Sequence, residues 1–167
     1  GYFHISNVYE GFGMEKVAPG SVKYLRVVES PEKRFWTREL WDWQGTGTQA
    51  PGMAWNDFNN KRVLGTVPVA EDGSVSFAVP AEKFVYFQLL DEDGAAIQSM
   101  RSGIMVRPGE TNACVGCHES RLDAPTSAQL AGAAESGTPI ELTPPVGGVK
   151  LYSYMEDVQP VFDKYCV

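Results

Sequence analysis

Two cysteines and a histidine at fixed spacing are the residues of this chain that could do chemistry. They lie in the run Ala113-Cys114-Val115-Gly116-Cys117-His118-Glu119. Two thiols three positions apart, followed directly by an imidazole, form the attachment pattern of a c-type haem. Each thiol can add to one vinyl group of the porphyrin, and the adjacent imidazole nitrogen can bind the iron. The spacing predicts one covalent haem c, held by Cys114 and Cys117, with His118 as an axial ligand.

Three other uses of the same residues are weaker. A structural zinc site takes four ligands, and the spare Cys and His side chains are limited to His4 and Cys166. A thioredoxin-like redox pair lies where a strand enters a helix, whereas Cys114 follows a turn-rich segment at 107–112. A disulfide between Cys114 and Cys117 would close a very short loop and leave the following histidine unexplained. Haem is therefore the preferred interpretation.

The other side of the iron is either open or occupied by a second ligand. His4 is the only other imidazole and the first candidate, because two imidazoles give a low-spin iron suited to electron transfer. Its alternative is a solvated histidine. Met100 and Met105 are second candidates, since a thioether raises the reduction potential, although methionines at such positions more often fill a core. Arg101, Arg107 and Arg121 flank the motif and could pair with haem propionates, and Arg101 is the preferred candidate; solvated surface charges are the alternative.

Short strands separated by glycine turns account for much of the sequence before the motif. Alternating apolar residues predict strands at 22–28, 63–69, 75–79, 84–90 and 96–100, and a further short strand at 104–106 leads into the motif. The second and third of these flank the turn Glu71-Asp72-Gly73 and predict a hairpin. Residues 1–20 mix aromatic residues with glycine and predict an extended or looped segment. We expect a mainly β fold, an antiparallel sandwich-like domain with loops and short helices around one haem.

The composition changes after the motif, so we place a domain boundary at residue 122. Residues 1–122 are expected to form the β-rich haem domain. Residues 123–145 are rich in Ala, Gly, Ser, Thr and Pro, which predicts a linker, and residues 152–165 have better helical content, broken by Pro160. The end of the chain resembles the approach to a second haem motif. We therefore expect 123–167 to lead into a truncated motif that begins at Cys166, with a free terminal cysteine as the alternative.

All four tryptophans fall within residues 35–55, around a glycine-rich run at 45–52. Indole rings bury large apolar areas wherever they occur, so these side chains either fill a β core or form part of the wall around the porphyrin. The sequence is compatible with both roles.

Charge and hydropathy restrict the partners. The chain has 21 acidic and 14 basic residues, a net charge of -7 and no basic cluster, which argues against nucleic acid and anionic membrane surfaces. No apolar run approaches the length of a bilayer span. Covalent haem attachment takes place outside the cytoplasm, so we expect an extracytoplasmic location, periplasmic or equivalent, although residues 1–4 show no signal peptide. Redox proteins or neighbouring haem domains of the same chain are the expected partners.

Residues 63–121 resemble the middle domain of hydrazine synthase alpha subunits, and similar domains occur in large planctomycete cytochrome-like proteins. The segments that carry the resemblance are 65–74, 87–91, 98–102, 108–110 and 114–119, with a further block at 22–27. The resemblance implies a β-rich domain with one c-type haem.

One position departs from that family. The hydrazine synthases have a tyrosine iron ligand three residues after the motif histidine, and the histidine itself binds zinc. This sequence has Arg121 at that position. The resemblance therefore implies the fold, keeps His118 on the iron, and does not extend to the zinc or to hydrazine formation.

The expected function is electron transfer through one haem within a larger multihaem protein. The alternative is a haem enzyme domain related to hydrazine synthase that acts on small nitrogen compounds at an open iron site. A third reading is a sensor or assembly module in which the haem is mainly structural. Two strong iron ligands from the protein would favour the first reading.

Overall fold

The described part of the chain is built mainly from β-strands. The computed structural model describes residues 1–31, 61–117, 119, 122–129 and 138–166. Within these residues there are seven strands: β1 (Tyr2–Ile5), β2 (Tyr24–Glu29), β3 (Arg62–Pro68), β4 (Val75–Ala78), β5 (Val85–Leu90), β6 (Ala96–Ser99) and β7 (Thr111–Cys114). His118, Arg121 and the four tryptophans lie outside the described residues.

The strands form two sheets. One has the order β4-β1-β7 and the other has the order β3-β2-β5-β6. Every pair in the larger sheet is antiparallel, whereas β1 is antiparallel to β4 and parallel to β7. The prediction of a mainly β fold is confirmed. The parallel pair was not anticipated, and it joins the first strand of the domain to the last.

Apolar side chains from both sheets meet in one core. Phe3 of β1 and Phe77 of β4 lie in the smaller sheet with their ring centroids 5.8 Å apart. Phe87 of β5, in the larger sheet, meets both rings edge to face at 5.1 and 5.3 Å. Such aromatic pairs contribute about 0.5–1.5 kcal/mol each beyond the area they bury. The three rings therefore hold the two sheets against each other.

The predicted strands at 22–28, 84–90 and 96–100 are confirmed as β2, β5 and β6. In place of the predicted strand at 104–106, Ile104 forms an isolated antiparallel bridge with Val85. The prediction of a hairpin between 63–69 and 75–79 is wrong. The turn is present, since the amide of Ala70 donates to the carbonyl of Ser74. However, β3 pairs with β2 while β4 pairs with β1, so the chain crosses from one sheet to the other. Each strand buries one face, and this produces the same alternation whichever partner the strand has.

Residues 138–145, which we call the edge strap, cover the outer edges of both sheets. Ile140 donates to the carbonyl of Ser76 at 2.9 Å and accepts from the amide of Ala78 at 3.0 Å, along β4. Thr143 and Thr66 of β3 exchange two backbone hydrogen bonds of 2.9 Å. Both strands are edge strands, whose free backbone groups need partners. The β unit thus uses residues beyond 122, in the region expected to be a linker.

The predicted helical content near the end of the chain is confirmed. A π-helical turn, Tyr154–Val158, is followed by an α-helix, Gln159–Tyr165. Pro160 lies in the first turn of the α-helix, where the absent N–H group costs nothing. None of the helices among the described residues combines the length and the apolar character that crossing a bilayer demands.

Candidate functional site

A cavity of about 410 Å³ lies between the two sheets on the side away from the edge strap. Apolar side chains form one part of its wall, contributed by Ile5, Phe87, Leu89, Met100 and Ile104. The rest is formed by Gln98, Arg101, Ser102, Cys114, Gly116, Cys117 and Glu119. A volume of this size is within the range of ligand pockets, and a mostly apolar wall with a few convergent polar groups is typical of them.

The smaller sheet brings the first thiol to the cavity. Cys114 ends β7 and is the register partner of Ile5 in β1, so both side chains lie on the face that borders the cavity. Beyond the strand, Ser6 and Asn7 donate their amides to the carbonyls of Cys114 and Val115 at 3.0 and 3.2 Å. These bonds extend the pairing with β1 into the loop and hold the start of the motif in place.

Gly116 allows the loop to pass close to the first part of the chain. A Cβ atom at this position would lie 2.2 Å from the carbonyl oxygen of Glu10, which is far inside contact distance. The sequence motif alone does not reveal this role of Gly116. The sequence signal for it is a glycine between two cysteines, both of whose side chains must reach one cavity.

Glu119 braces the same loop. Its carboxylate accepts hydrogen bonds from the amides of Val115 at 2.6 Å and Gly116 at 3.5 Å. Amides in a tight loop have few backbone partners, so a carboxylate just beyond the loop satisfies them. This role of Glu119 is not apparent from its place at the end of the motif.

Both cavity cysteines are free thiols. Burial, and to a lesser degree the charge of Glu119, raise the pKa of Cys114 to about 12. Burial also raises the pKa of Cys117 to about 12, with smaller contributions from Cys114 and Glu119. Redox-active dithiols have lowered pKa values because the thiolate is the reactive form. The electrostatics therefore disfavour the thioredoxin-like alternative.

Two other predicted side chains also reach this cavity. Arg101 and Met100 both belong to its wall, Arg101 exposed and Met100 half-buried. Met105, by contrast, is 55% exposed and lines a separate groove with Arg107 and Glu82. The structure thus brings Cys114, Cys117, Met100 and Arg101 together.

His4 is placed elsewhere. Its register partner in β7 is Ala113, one residue before Cys114, so its side chain lies on the opposite face of the smaller sheet. It is only 5% exposed, and its Nδ1 has no hydrogen-bond partner. Burial lowers the pKa of His4, against the opposing effect of the Asp72 charge. The structure does not bring His4 to the cavity that holds the thiols.

Within the described ranges, no group of three or more His, Cys, Asp and Glu side chains is arranged to hold a metal ion. Cys166, which the zinc alternative would need together with His4, is exposed after the C-terminal helix. The described residues therefore offer no support for a protein-only zinc site.

Comparison with known families identifies the β unit. Residues 20–119, more than half of the 167 residues, match the sequence model of the hydrazine synthase alpha subunit middle domain. The chain belongs to this family. The hydrazine synthase match includes β2 to β7 and both cavity cysteines, whereas β1 and the edge strap lie outside it.

A solved structure shows the same fold. The chain is similar to a Kuenenia stuttgartiensis hydrazine synthase with a TM-score of 0.62 and 14% sequence identity. The alignment covers 99% of this chain and 29% of the hydrazine synthase chain, so this chain spans under a third of that protein's length. Comparison with curated proteins gives no match.

Proposed function

We propose that this chain is a c-type cytochrome domain that transfers electrons through one haem attached covalently at Cys114 and Cys117. The observation that carries the proposal is that two free thiols, three positions apart, lie on the wall of one mostly apolar cavity. The sequence motif assigns His118 to the iron. Membership of the hydrazine synthase alpha subunit middle domain family supports a role within a larger multihaem protein.

The residues of the cavity suit this group. Each thiol would add across one vinyl group, with the sulfur bonding to one carbon and the thiol hydrogen ending on the other, so the addition itself would need no oxidant and only reduced cysteines. The aliphatic and aromatic wall suits the porphyrin face, and the guanidinium of Arg101 can pair with a propionate. A bound haem supplies a one-electron carrier, while the chain controls its ligation, solvent access and local dielectric.

We further propose an extracytoplasmic location, because the thioether bonds of c-type haems are made outside the cytoplasm. The partners would be redox proteins or neighbouring haem domains of the same chain. The net charge of -7 supports a partner with a basic surface, since opposite charges accelerate encounter.

Haem attachment is tested by producing the chain in a bacterial periplasm equipped for c-type haem maturation. We expect the mass of the denatured protein to include one haem, which Cys114→Ser combined with Cys117→Ser removes. Cys166→Ser is the matched control and should keep the full haem content. A denatured wild type without haem, or a double variant that retains it, would contradict the proposal.

A second candidate is a haem enzyme domain that acts on small nitrogen compounds at an open iron site. It is favoured by the polar side chains of Gln98, Arg101 and Ser102 on the cavity wall, which could orient a small ligand. Carbon monoxide distinguishes the two functions. An iron with two protein ligands should not bind carbon monoxide and should exchange electrons reversibly at an electrode. An open iron should bind carbon monoxide on reduction.

A further inference from the structure

We propose that the thioether sulfur of Met100 is the second axial ligand of the haem iron. This inference rests on the proposed function, because it requires a haem attached at Cys114 and Cys117. It concerns the other side of that haem, for which the sequence favoured His4.

Met100 reaches the cavity from the larger sheet, whereas the thiols reach it from the smaller one. Met100 directly follows β6, and its amide donates to the carbonyl of Phe87 at 2.8 Å. Its side chain lines the cavity together with that of Gln98, two positions earlier on the same face of the strand. β6 is the edge strand of the larger sheet, and β7, which ends at Cys114, is the edge strand of the smaller sheet. The thioether and the thiols thus come from the two different sheets that enclose the cavity.

The other polar residues of the cavity wall are not of the types that bind haem iron. Haem iron takes its axial ligands from histidine, methionine, cysteine and tyrosine. The remaining polar side chains on the wall are those of Gln98, Arg101, Ser102 and Glu119, none of which belongs to that set. Both cysteines are used in attachment. Among the described residues of the cavity wall, Met100 is therefore the one that could bind the iron once both cysteines are attached to the haem.

The other described histidine and methionine side chains lie away from the cavity. His4 lies on the opposite face of the smaller sheet, and Met105 lines a separate groove. Met14 is buried in the hydrophobic core, and Met155 is 72% exposed on the π-helical turn. In the described part of the chain, these side chains do not reach the cavity.

A thioether ligand has two consequences for function. It raises the reduction potential relative to a second imidazole, and it occupies the position that a small molecule would need. Met100 therefore favours electron transfer over chemistry at an open iron. Met100 is half-buried, packs against the hydrophobic core and lines the cavity, so its side chain has packing partners and still borders the cavity.

The test compares Met100→Leu with Met105→Leu in the haem-loaded protein. Leucine conserves volume, so both variants should fold. We expect the wild type to show the far-red absorption band of a thioether-ligated ferric haem. Met100→Leu should lose that band, become high-spin and bind carbon monoxide when reduced, while Met105→Leu should behave as wild type. Met100→His should restore a low-spin iron closed to carbon monoxide, at a lower reduction potential.

Each contrary result has its own meaning. A wild type with covalent haem that is already high-spin, or a Met100→Leu protein that stays low-spin with an unchanged potential, would overturn the role of Met100 and leave haem attachment intact. A wild type without covalent haem would overturn the proposed function and this inference with it.

Discussion

The two sides of the sandwich differ in what borders their edge strands. On one side the edge strands β3 and β4 are covered by the edge strap, whose Ile140 and Thr143 form four backbone hydrogen bonds with them. On the other side the edge strands β6 and β7 border a cavity lined by thiols, a thioether and a guanidinium. Uncovered sheet edges invite association with other chains, and covering them is a common remedy. The edge strap satisfies backbone groups on one side, and the other side holds the cavity that borders the two cysteines.

The largest expected effect belongs to the strapped side. Gly65 of β3 lies under the edge strap, and a Cβ atom there would be 2.5 Å from the carbonyl oxygen of Thr143. We expect Gly65→Ala to lower the free energy of unfolding by about 2 kcal/mol, because the strap must move off the strand. Urea unfolding of the variant beside the wild type measures this difference.

Ala96→Val, on an exposed position of β6, is the control for that variant and should change stability by less than about 0.5 kcal/mol. Gly65→Ala should also leave haem attachment at the wild-type level, since the strap is remote from the thiols. A Gly65→Ala protein as stable as the wild type would show that the strap is not seated on β3 in solution.

The same substitution on the cavity side should act on the site more than on stability. Gly116→Ala would place a Cβ atom 2.2 Å from the carbonyl of Glu10, but a loop can shift more easily than a strand. We expect a loss of about 1 kcal/mol in unfolding free energy and a several-fold drop in haem attachment, measured by mass spectrometry. Equal attachment in Gly116→Ala and Gly65→Ala would remove the distinction between the two sides.

The smallest expected effect concerns β1, which lies between the two edges. Because burial lowers the pKa of His4, the folded protein binds fewer protons there than the unfolded chain. The stabilising effect of a neutral His4 is complete above the unfolded pKa of about 6.5 and declines as the pH falls below it. We expect urea midpoints to drop between about pH 7.5 and about pH 5.5, and to drop less in His4→Gln.

The titration of Asp72 does not contribute to this pH response. Hydrogen bonds from Ser74 lower the pKa of Asp72 below 3.8, so its contribution is lost only in more acidic solution. An identical pH response in His4→Gln and the wild type would show that His4 is solvated in the folded protein.

Parts of this architecture are readable from the sequence because local pattern determines them. The alternation in β2, β5 and β6 identifies the strands, whereas the haem assignment of Cys114, Cys117 and His118 stays a prediction from their spacing. Pattern does not identify strand partners, which is why the segments that form β3 and β4 were paired with each other. β1 and β7 have four residues each, and polar side chains such as His4 and Asn112 hide their alternation.

The pairing register of β1 with β7 decides whether His4 can be the second iron ligand. His4 attracted attention as the other imidazole of the chain, but its pairing with Ala113 instead of Cys114 turns it away from the cavity. A one-residue change in register reverses which face a side chain occupies, and no local sequence signal reports it. The edge strap was also hidden, because its polar and proline residues are typical of a linker when the strands beneath them are unknown.

The parallel pairing of β1 with β7 has a consequence for the order of events during synthesis. Among the seven strands of the described residues, β1 is made first and β7, which ends at Cys114, is made last. Contacts between distant segments form slowly, because a long loop must close before they contribute. In the exported haem protein that we propose, the thiols would therefore be accessible before the cavity is assembled. We expect haem attachment to capture a flexible segment, and the final pairing with β1 to enclose the product afterwards.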